Sequence, residues 1–422
     1  MSVSQALQRT VLVAAAIVLL AGADWTRFRG PNGSGVSDEK PLPLRWSTSD
    51  GLLWKTALPG FGSSSPIVLG EKVFLTCYGG YGLNRTDPGK IEELQRHVLC
   101  VDAKTGRIVW DKVQKAEGRE REYQSFITQH GYASSTPTTD GQRLYVFFGR
   151  AGVFAYNLDG DVLWKASVGD GIHDWGSAAS PILYKYLLIV NASVESKSLV
   201  ALDKATGKEV WRAEGSNRSW STPAIVDLPD GKQELVLSVQ GKVLGFDPAT
   251  GKKLWECDGI PDYVCPSVLA HEGVVYVTAG RKPMSVAVRA GGRGDVTQHN
   301  RLWQITKGSK VPTPVFCEGR LYWVDQTGMA TCVDATSGET VYSRRLEIRG
   351  AGDKAYASLV LGDGKLYCVT RQDGTIVLAV GPEFKELARN DLGDESIANA
   401  TPAIDHGRLF LRSDRFLYCL GK

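Results

Sequence analysis

The chain has 422 residues, 43% of them hydrophobic, which is enough to bury a large core and is the composition of a soluble globular protein. A formal net charge of only +3 gives no bias toward nucleic acid.

In chain order, the first element is a leader. Arg9 precedes the apolar stretch Val11 to Leu20, and Ala21-Gly22-Ala23 has the small-x-small pattern that signal peptidase cuts. Residues 1–23 are therefore expected to be a cleavable signal peptide and Asp24 the first mature residue. The apolar run is shorter than the ~20 residues a membrane-spanning helix needs, and no later segment approaches that length. Ala23 stands where a lipoprotein signal would place its lipid-bearing cysteine, so a periplasmic or secreted protein without a lipid anchor is expected.

After an N-terminal segment, residues 24–62, the chain from 63 to 422 repeats. A slot held by Pro66, Pro137, Pro181, Pro223, Val268, Pro314, Leu359 and Pro402 recurs every 42 to 46 residues after its first interval. Self-similarity at that period is the mark of propeller blades. Each slot leads to an apolar strand, such as Leu144-Tyr145-Val146 or Leu321-Tyr322-Trp323, and no segment keeps a helical period. A second signature follows: Asp, then Thr-Gly or Ser-Gly, then an aromatic four residues on. It is seen as Asp102-Thr105-Gly106-Trp110, Asp203-Thr206-Gly207-Trp211, Asp247-Thr250-Gly251-Trp255 and Asp334-Ser337-Gly338-Tyr342, with a shortened form at Asn157-Gly160-Trp164. Asp or Asn caps turn N–H groups, Gly takes the positive-φ position, and the aromatic begins an outer strand that packs on the next blade.

Trp54, Trp110, Trp164, Trp211, Trp255, Trp303, Tyr342 and Leu387 supply one docking position per unit. The last unit, from Pro402, ends without an outer strand, and Leu52-Leu53-Trp54-Lys55 is a strand with no unit before it. Pairing the two would close the ring. The expected fold is all-β: an eight-bladed propeller of four-stranded antiparallel blades.

Cys100, Cys332 and Cys419 fall at equivalent repeat positions, as Cys77 and Cys368 do approximately, and read as small buried hydrophobes. Cys257 and Cys265, close in sequence across a loop, are the one disulfide candidate.

These A-x-D-x-x-T-G-x-x-x-W repeats resemble the quinoprotein-like (PQQ-binding-like) β-propeller family over essentially the whole mature chain. The family includes quinone-dependent alcohol dehydrogenases and the outer-membrane assembly lipoprotein BamB. The opening Asp24-Trp25-Thr26-Arg27-Phe28-Arg29-Gly30-Pro31-Asn32-Gly33 and Gly291-Gly292-Arg293-Gly294-Asp295-Val296-Thr297 are similar to a subgroup named only for its PQQ-like repeats. The likeness to the dehydrogenases implies pyrroloquinoline quinone (PQQ) and Ca²⁺ near the axis and a general base acting on an alcohol or sugar. This chain lacks their Cys-Cys dipeptide, and no set of calcium ligands can be matched residue by residue. The likeness to BamB implies an envelope scaffold that binds protein, and the missing lipobox cysteine departs from it. No cofactor is expected under that reading.

Propellers bind at the axial mouth, on loops around the inner strands. Ser64, Ser135, Ser177, Tyr263, Thr313, Tyr356 and Asn399 lie just before slots, although small residues there also let eight strands crowd together. Trp175 and Trp220 stand outside the docking series and could stack on a planar ligand or a peptide side chain, or fill space between blades. His130 and His173 precede slots by seven and eight residues and could serve as base or metal ligand, although no third ligand has an identifiable spacing and no metal is expected. Arg281, Lys282, Arg289 and Arg293 could form a basic patch or a solvated loop, and Gly291 to Gly294 reads as a turn. The leading expectation is an exported, monomeric, non-enzymatic scaffold for an envelope protein or small extracytoplasmic ligand. The rival is a PQQ-dependent oxidoreductase.

Overall fold

The computed structural model describes residues 24–31, 33–116, 118 and 120–422, so the signal peptide expected at residues 1–23 lies outside the described residues. Eight sheets follow one another in chain order, numbered here as blades 1 to 8 from the slots Pro66 to Pro402. Blade 3 is representative: Ile182–Tyr184, Leu187–Ala192, Ser198–Asp203 and Glu209–Glu214 pair antiparallel in sequence order. Its second strand is wholly buried, whereas the fourth alternates. Middle strands are sandwiched between neighbouring blades and read as continuous apolar runs, while outer strands meet water on one side. The core is consequently inter-blade: one cluster joins Ile182, Ile189 and Ala201 of blade 3 to Leu235, Leu244 and Phe246 of blade 4. In blade 8, Leu52–Ala57 pairs antiparallel with Phe416–Leu420, so the two ends of the chain share a sheet.

The repeated turn joins adjacent blades by a specific contact. Asp102 Oδ1 accepts from Lys104 N (3.1 Å), Thr105 N (2.7 Å) and Thr105 Oγ1 (2.8 Å), and these donors hold its carboxyl below the usual range. Gly106 then takes φ +74°, and a Cβ there would lie 2.7 Å from the Trp54 ring, so this glycine supplies both the turn geometry and the bed for the indole. The indole N–H donates to the carbonyl next to the turn Asp: Trp54 to Ala103 O at 3.1 Å, Trp164 to Lys204 O at 3.2 Å, Trp211 to Pro248 O at 3.2 Å and Trp303 to Ala335 O at 2.9 Å. Trp110 does the same to Leu158 O at 3.1 Å across the shortened Asn157 turn. Tyr342 is buried at the corresponding place on blade 6.

Trp255 differs because blade 5 lacks the turn. Its indole lies over Gly245 and donates to Glu234 Oε2 at 2.6 Å, a carboxylate only 1% exposed. Glu234 also accepts from Gly291 N and from Arg293 Nη1, each at 2.9 Å. The Gly-rich stretch is therefore a structural brace, and its Gly294–Asp295 segment adds a short parallel strand beside Trp255–Glu256. Arg293 is paired with Glu234, and Arg281 lines the axial cavity.

Cys257 and Cys265 are unbonded, against the disulfide expectation: Cys257 is buried between blades 4 and 5, and Cys265 lines the axial cavity. Cys100, Cys332 and Cys419 sit opposite Trp110, Tyr342 and Trp54 on third strands, buried as small hydrophobes.

Residues 24–31 and 33–37 form a strap across one end of the axis. Trp25 O accepts from Val68 N (2.9 Å) in blade 1 and Thr26 O from Thr139 N (3.0 Å) in blade 2. On the far side, Val36–Ser37 pairs in parallel with blade 7 at Leu361 and Gly362. Between them Arg29, 1% exposed, donates to Thr313 O (3.0 Å) and Pro314 O (2.5 Å) of blade 6 and to Ser34 O (2.7 Å). Burial pulls its pKa down to about 9.

Candidate functional site

Antiparallel order puts the loops before each first strand on the same face as those between second and third strands. The strap lies at the other end, against the first strands. On the loop-bearing face a cavity of about 560 Å³ opens on the axis, with Phe28 of the strap lining its inner end. Its wall carries one hydroxyl from every blade: Ser65, Thr136, Ser180, Thr222, Ser267, Thr313, Ser358 and Thr401. These form a belt. Ser65 N donates to Thr136 Oγ1 (2.9 Å), Thr136 N to Ser180 Oγ (3.0 Å) and Ser180 N to Thr222 Oγ1 (3.0 Å). Ser267, Thr313 and Ser358 continue the pattern, and Thr401 N returns to Ser65 Oγ at 3.0 Å. Between blades 4 and 5 the link is from Val268 N to Thr222 O at 3.3 Å. A hydroxyl residue immediately before each of the eight slots was the signal for this belt in the sequence.

One side of the cavity is aromatic. Trp175 lies with its ring centroid 4.9 Å from Phe126, 4.8 Å from Trp220 and 4.5 Å from Tyr263. His173 packs edge-on to Trp220 at 5.0 Å but does not line the axial cavity itself. Trp220 Nε1 is satisfied by Gly176 O at 2.7 Å. The rest of the lining is polar, with Arg281 beside Tyr263 and then Lys310, Asp353, Tyr356 and Asn399. Asp353 Oδ2 accepts from Tyr356 OH at 2.7 Å, and the Arg371 guanidinium lies 4.5 Å above the Tyr356 ring.

The segment following blade 1 arches over part of the mouth. Its short helix, Ile127–His130, is tied on both sides by side chains. His130 Nε2 donates to Trp175 O at 2.6 Å and Nδ1 faces Ser134 Oγ at 2.5 Å, and burial lowers the imidazole pKa below its ordinary value. Across the axis, Asn399 Nδ2 donates to Gln129 O (2.7 Å), and Arg371 donates to Gln129 Oε1 (3.2 Å) and Asn399 Oδ1 (3.0 Å). Both His130 nitrogens and both ends of the Asn399 amide are thus engaged in holding this arch.

Of the residues singled out from the sequence, His130, Trp175, Trp220, Tyr263 and Asn399 line one cavity, together with Thr313 and Tyr356. Ser64 and Ser135 do not. Ser64 is fully buried, donates to Thr76 O at 3.1 Å and receives Arg412 Nη1 at 2.7 Å, and Ser135 lines a separate cavity of about 40 Å³. Successive side chains of an extended segment point to opposite sides, and the residues that face the axis, Ser65 and Thr136, are each one position later. Ser177 turns to the buried Glu195, whose carboxyl burial pushes up to about 7.

A quinone–calcium pair needs about six to eight oxygen ligands for its cation, with carboxylates among them to balance its charge. The lining offers a single carboxylate, Asp353, already engaged by Tyr356, and among the described residues no three His, Cys, Asp or Glu side chains are grouped for a metal. The residues present do not fit that pair.

The sequence model of the family described as outer membrane protein assembly factor BamB matches residues 36–170 and 94–259. The outer membrane protein assembly factor BamB of Yersinia pestis is 26% identical over 301 residues, covering 66% of this chain and 71% of its own. The crystal structure of BamB from Moraxella catarrhalis superposes with a TM-score of 0.61 at 12% identity, over 88% of this chain and 97% of that one. A quinohemoprotein alcohol dehydrogenase from Comamonas testosteroni reaches 0.57 at 10% identity, over 95% of this chain and 81% of its own. At such identities the structural likeness carries the fold alone.

Proposed function

Because this chain belongs to the family of outer membrane protein assembly factor BamB, we propose that it is an exported propeller scaffold of the cell envelope that binds a protein partner through its loop-bearing face. The observation that carries this reading is the axial cavity: about 560 Å³, walled by aromatic rings and by hydroxyls from all eight blades. Concave, largely apolar sites with a few convergent polar groups are where proteins take up ligands. Export is supported by the leader pattern of residues 1–23, and a periplasmic or secreted location follows from it. The quinone-dependent alternative is disfavoured by the single engaged carboxylate in the cavity.

The test is site-specific photo-crosslinking in the native envelope fraction. A benzophenone side chain at Phe126, 51% exposed at the mouth, is compared with one at Tyr186, equally exposed in the turn between the first two strands of blade 3. A discrete adduct with an envelope protein from position 126 alone supports the reading. Adducts from both positions, or none from 126, refute it.

A further inference from the structure

We propose that the axial cavity is shaped for an acidic peptide segment carrying an aromatic side chain, an inference that rests on the partner-binding reading above. The cavity is divided by chemistry. Phe126, Trp175, Trp220 and Tyr263 form a continuous ring-to-ring wall, with centroids 4.5 to 4.9 Å from Trp175, which suits an inserted aromatic ring. That wall runs directly into positive charge, since the Arg281 guanidinium lies 5.7 Å from the Tyr263 ring.

Charge and hydrogen-bonding capacity are both one-sided. Arg281 and Lys310 line the cavity against one carboxylate, Asp353, whose Oδ2 is taken by Tyr356. Among the described residues no carboxylate pairs with the Lys310 ammonium, and Asp262 stands 3.8 Å from Arg281 Nε while already accepting the backbone N–H groups of Tyr263 and Arg281. Arg371 adds a further cation behind Tyr356. The belt hydroxyls add donors. Seven of them accept a neighbour's amide N–H, which leaves each O–H proton to be given. A cavity rich in donors and poor in acceptors matches a ligand rich in carbonyl and carboxylate oxygen, which is a peptide with acidic side chains.

The same pattern extends outward. Phe126 is half-exposed and the Arg281 side chain is 66% exposed, so apolar and cationic surface continues from the cavity onto the rim. A segment that enters the cavity and runs out over the face uses both, whereas a small enclosed molecule uses only the interior.

The experiment titrates the full mature chain with fluorescently labelled, end-blocked peptides and reads anisotropy. Gly-Asp-Trp-Glu-Gly is compared with Gly-Asn-Trp-Gln-Gly, which lacks the charge, and with Gly-Asp-Ala-Glu-Gly, which lacks the ring. The acidic Trp peptide is expected to bind at least about tenfold more tightly than either and to weaken with added NaCl. Lys310→Gln is expected to erase its advantage over the amide peptide, and Trp175→Leu its advantage over the alanine peptide. Arg281→Gln, on an exposed loop, keeps the charge test valid if Lys310→Gln fails to fold. Equal binding of the acidic and amide peptides overturns the inference, as does equally tight binding of free N-acetyl-tryptophan, which would make this a small-molecule site. A specific adduct at Phe126 with no acidic-peptide preference defeats this inference alone. No adduct there and no peptide binding defeats the partner-binding reading with it.

Discussion

Replacing Trp255 by Phe removes one indole N–H while keeping a buried ring, and the same change at Trp211 is its control. Both rings are inside, at 1% and 8% exposure, so the loss of ring volume is comparable. The partners differ. Trp211 donates at 3.2 Å to the neutral carbonyl of Pro248, whereas Trp255 donates at 2.6 Å to Glu234, a carboxylate 1% exposed. A neutral hydrogen bond contributes roughly 0.5–1.5 kcal/mol net and one to a charged group about 1.5–3 kcal/mol. The Phe variant at 255 also leaves a buried carboxylate with two of its three donors, Gly291 N and Arg293 Nη1. Trp255→Phe is therefore expected to cost about 1–2 kcal/mol more than Trp211→Phe. Urea unfolding followed by far-UV circular dichroism measures the difference as a lower midpoint at unchanged slope. Equal midpoints for the two variants would refute the assignment of Glu234 as the replacement for the missing turn carbonyl.

Gly207→Ala places a Cβ 2.6 Å from the Trp164 ring at φ +73°, whereas Gly231→Ala, at φ +79°, meets nothing within 4 Å. The first is expected to destabilise by about 3 kcal/mol and the second by about 1–2 kcal/mol from backbone strain alone; similar thermal shifts would mean that the glycine does not seat the indole. Burial raises the Glu195 carboxyl from 4.5 to about 7, so the folded state holds its proton more tightly than the unfolded chain. That stabilisation is complete below pH 4.5 and is lost as pH rises through 7, by about 3 kcal/mol; Glu195→Gln should flatten this part of the stability profile, and an unchanged slope would place the titration elsewhere. Calorimetric titration with pyrroloquinoline quinone and Ca²⁺ is expected to show no stoichiometric binding, with no dye reduction on alcohols or sugars. Tight binding with turnover would replace the scaffold reading by an oxidoreductase.

The eight-bladed architecture was legible in the residues because its determinants are short-range. An Asp capping N–H groups two and three residues on, a glycine at positive φ and an aromatic four residues later are all contained within one hairpin, and repetition multiplied that local signal. Trp175 and Trp220 were legible as candidates for a related reason, since they broke the repeat. What a repeat cannot specify is which of two alternating side chains faces the axis. Ser64 and Ser135 turn into the structure and Ser65 and Thr136 into the cavity, and that choice is made by the packing of eight first strands against one another.

The brace on Trp255 was hidden because Glu234 and Arg293 are 59 residues apart and nothing local to the 291–297 stretch marks Glu234 as its partner. The arch over the mouth joins Gln129 to Arg371 across 242 residues, and Arg29 reaches Thr313 across 284. Local turn chemistry and strand alternation thus determined the number and kind of blades from the amino acids alone. The cavity, its floor and its arch were decided only when closure of the ring brought side chains from all eight repeats to one axis, because hydrogen bonds and ring contacts act over a few ångströms of space and are indifferent to separation along the chain.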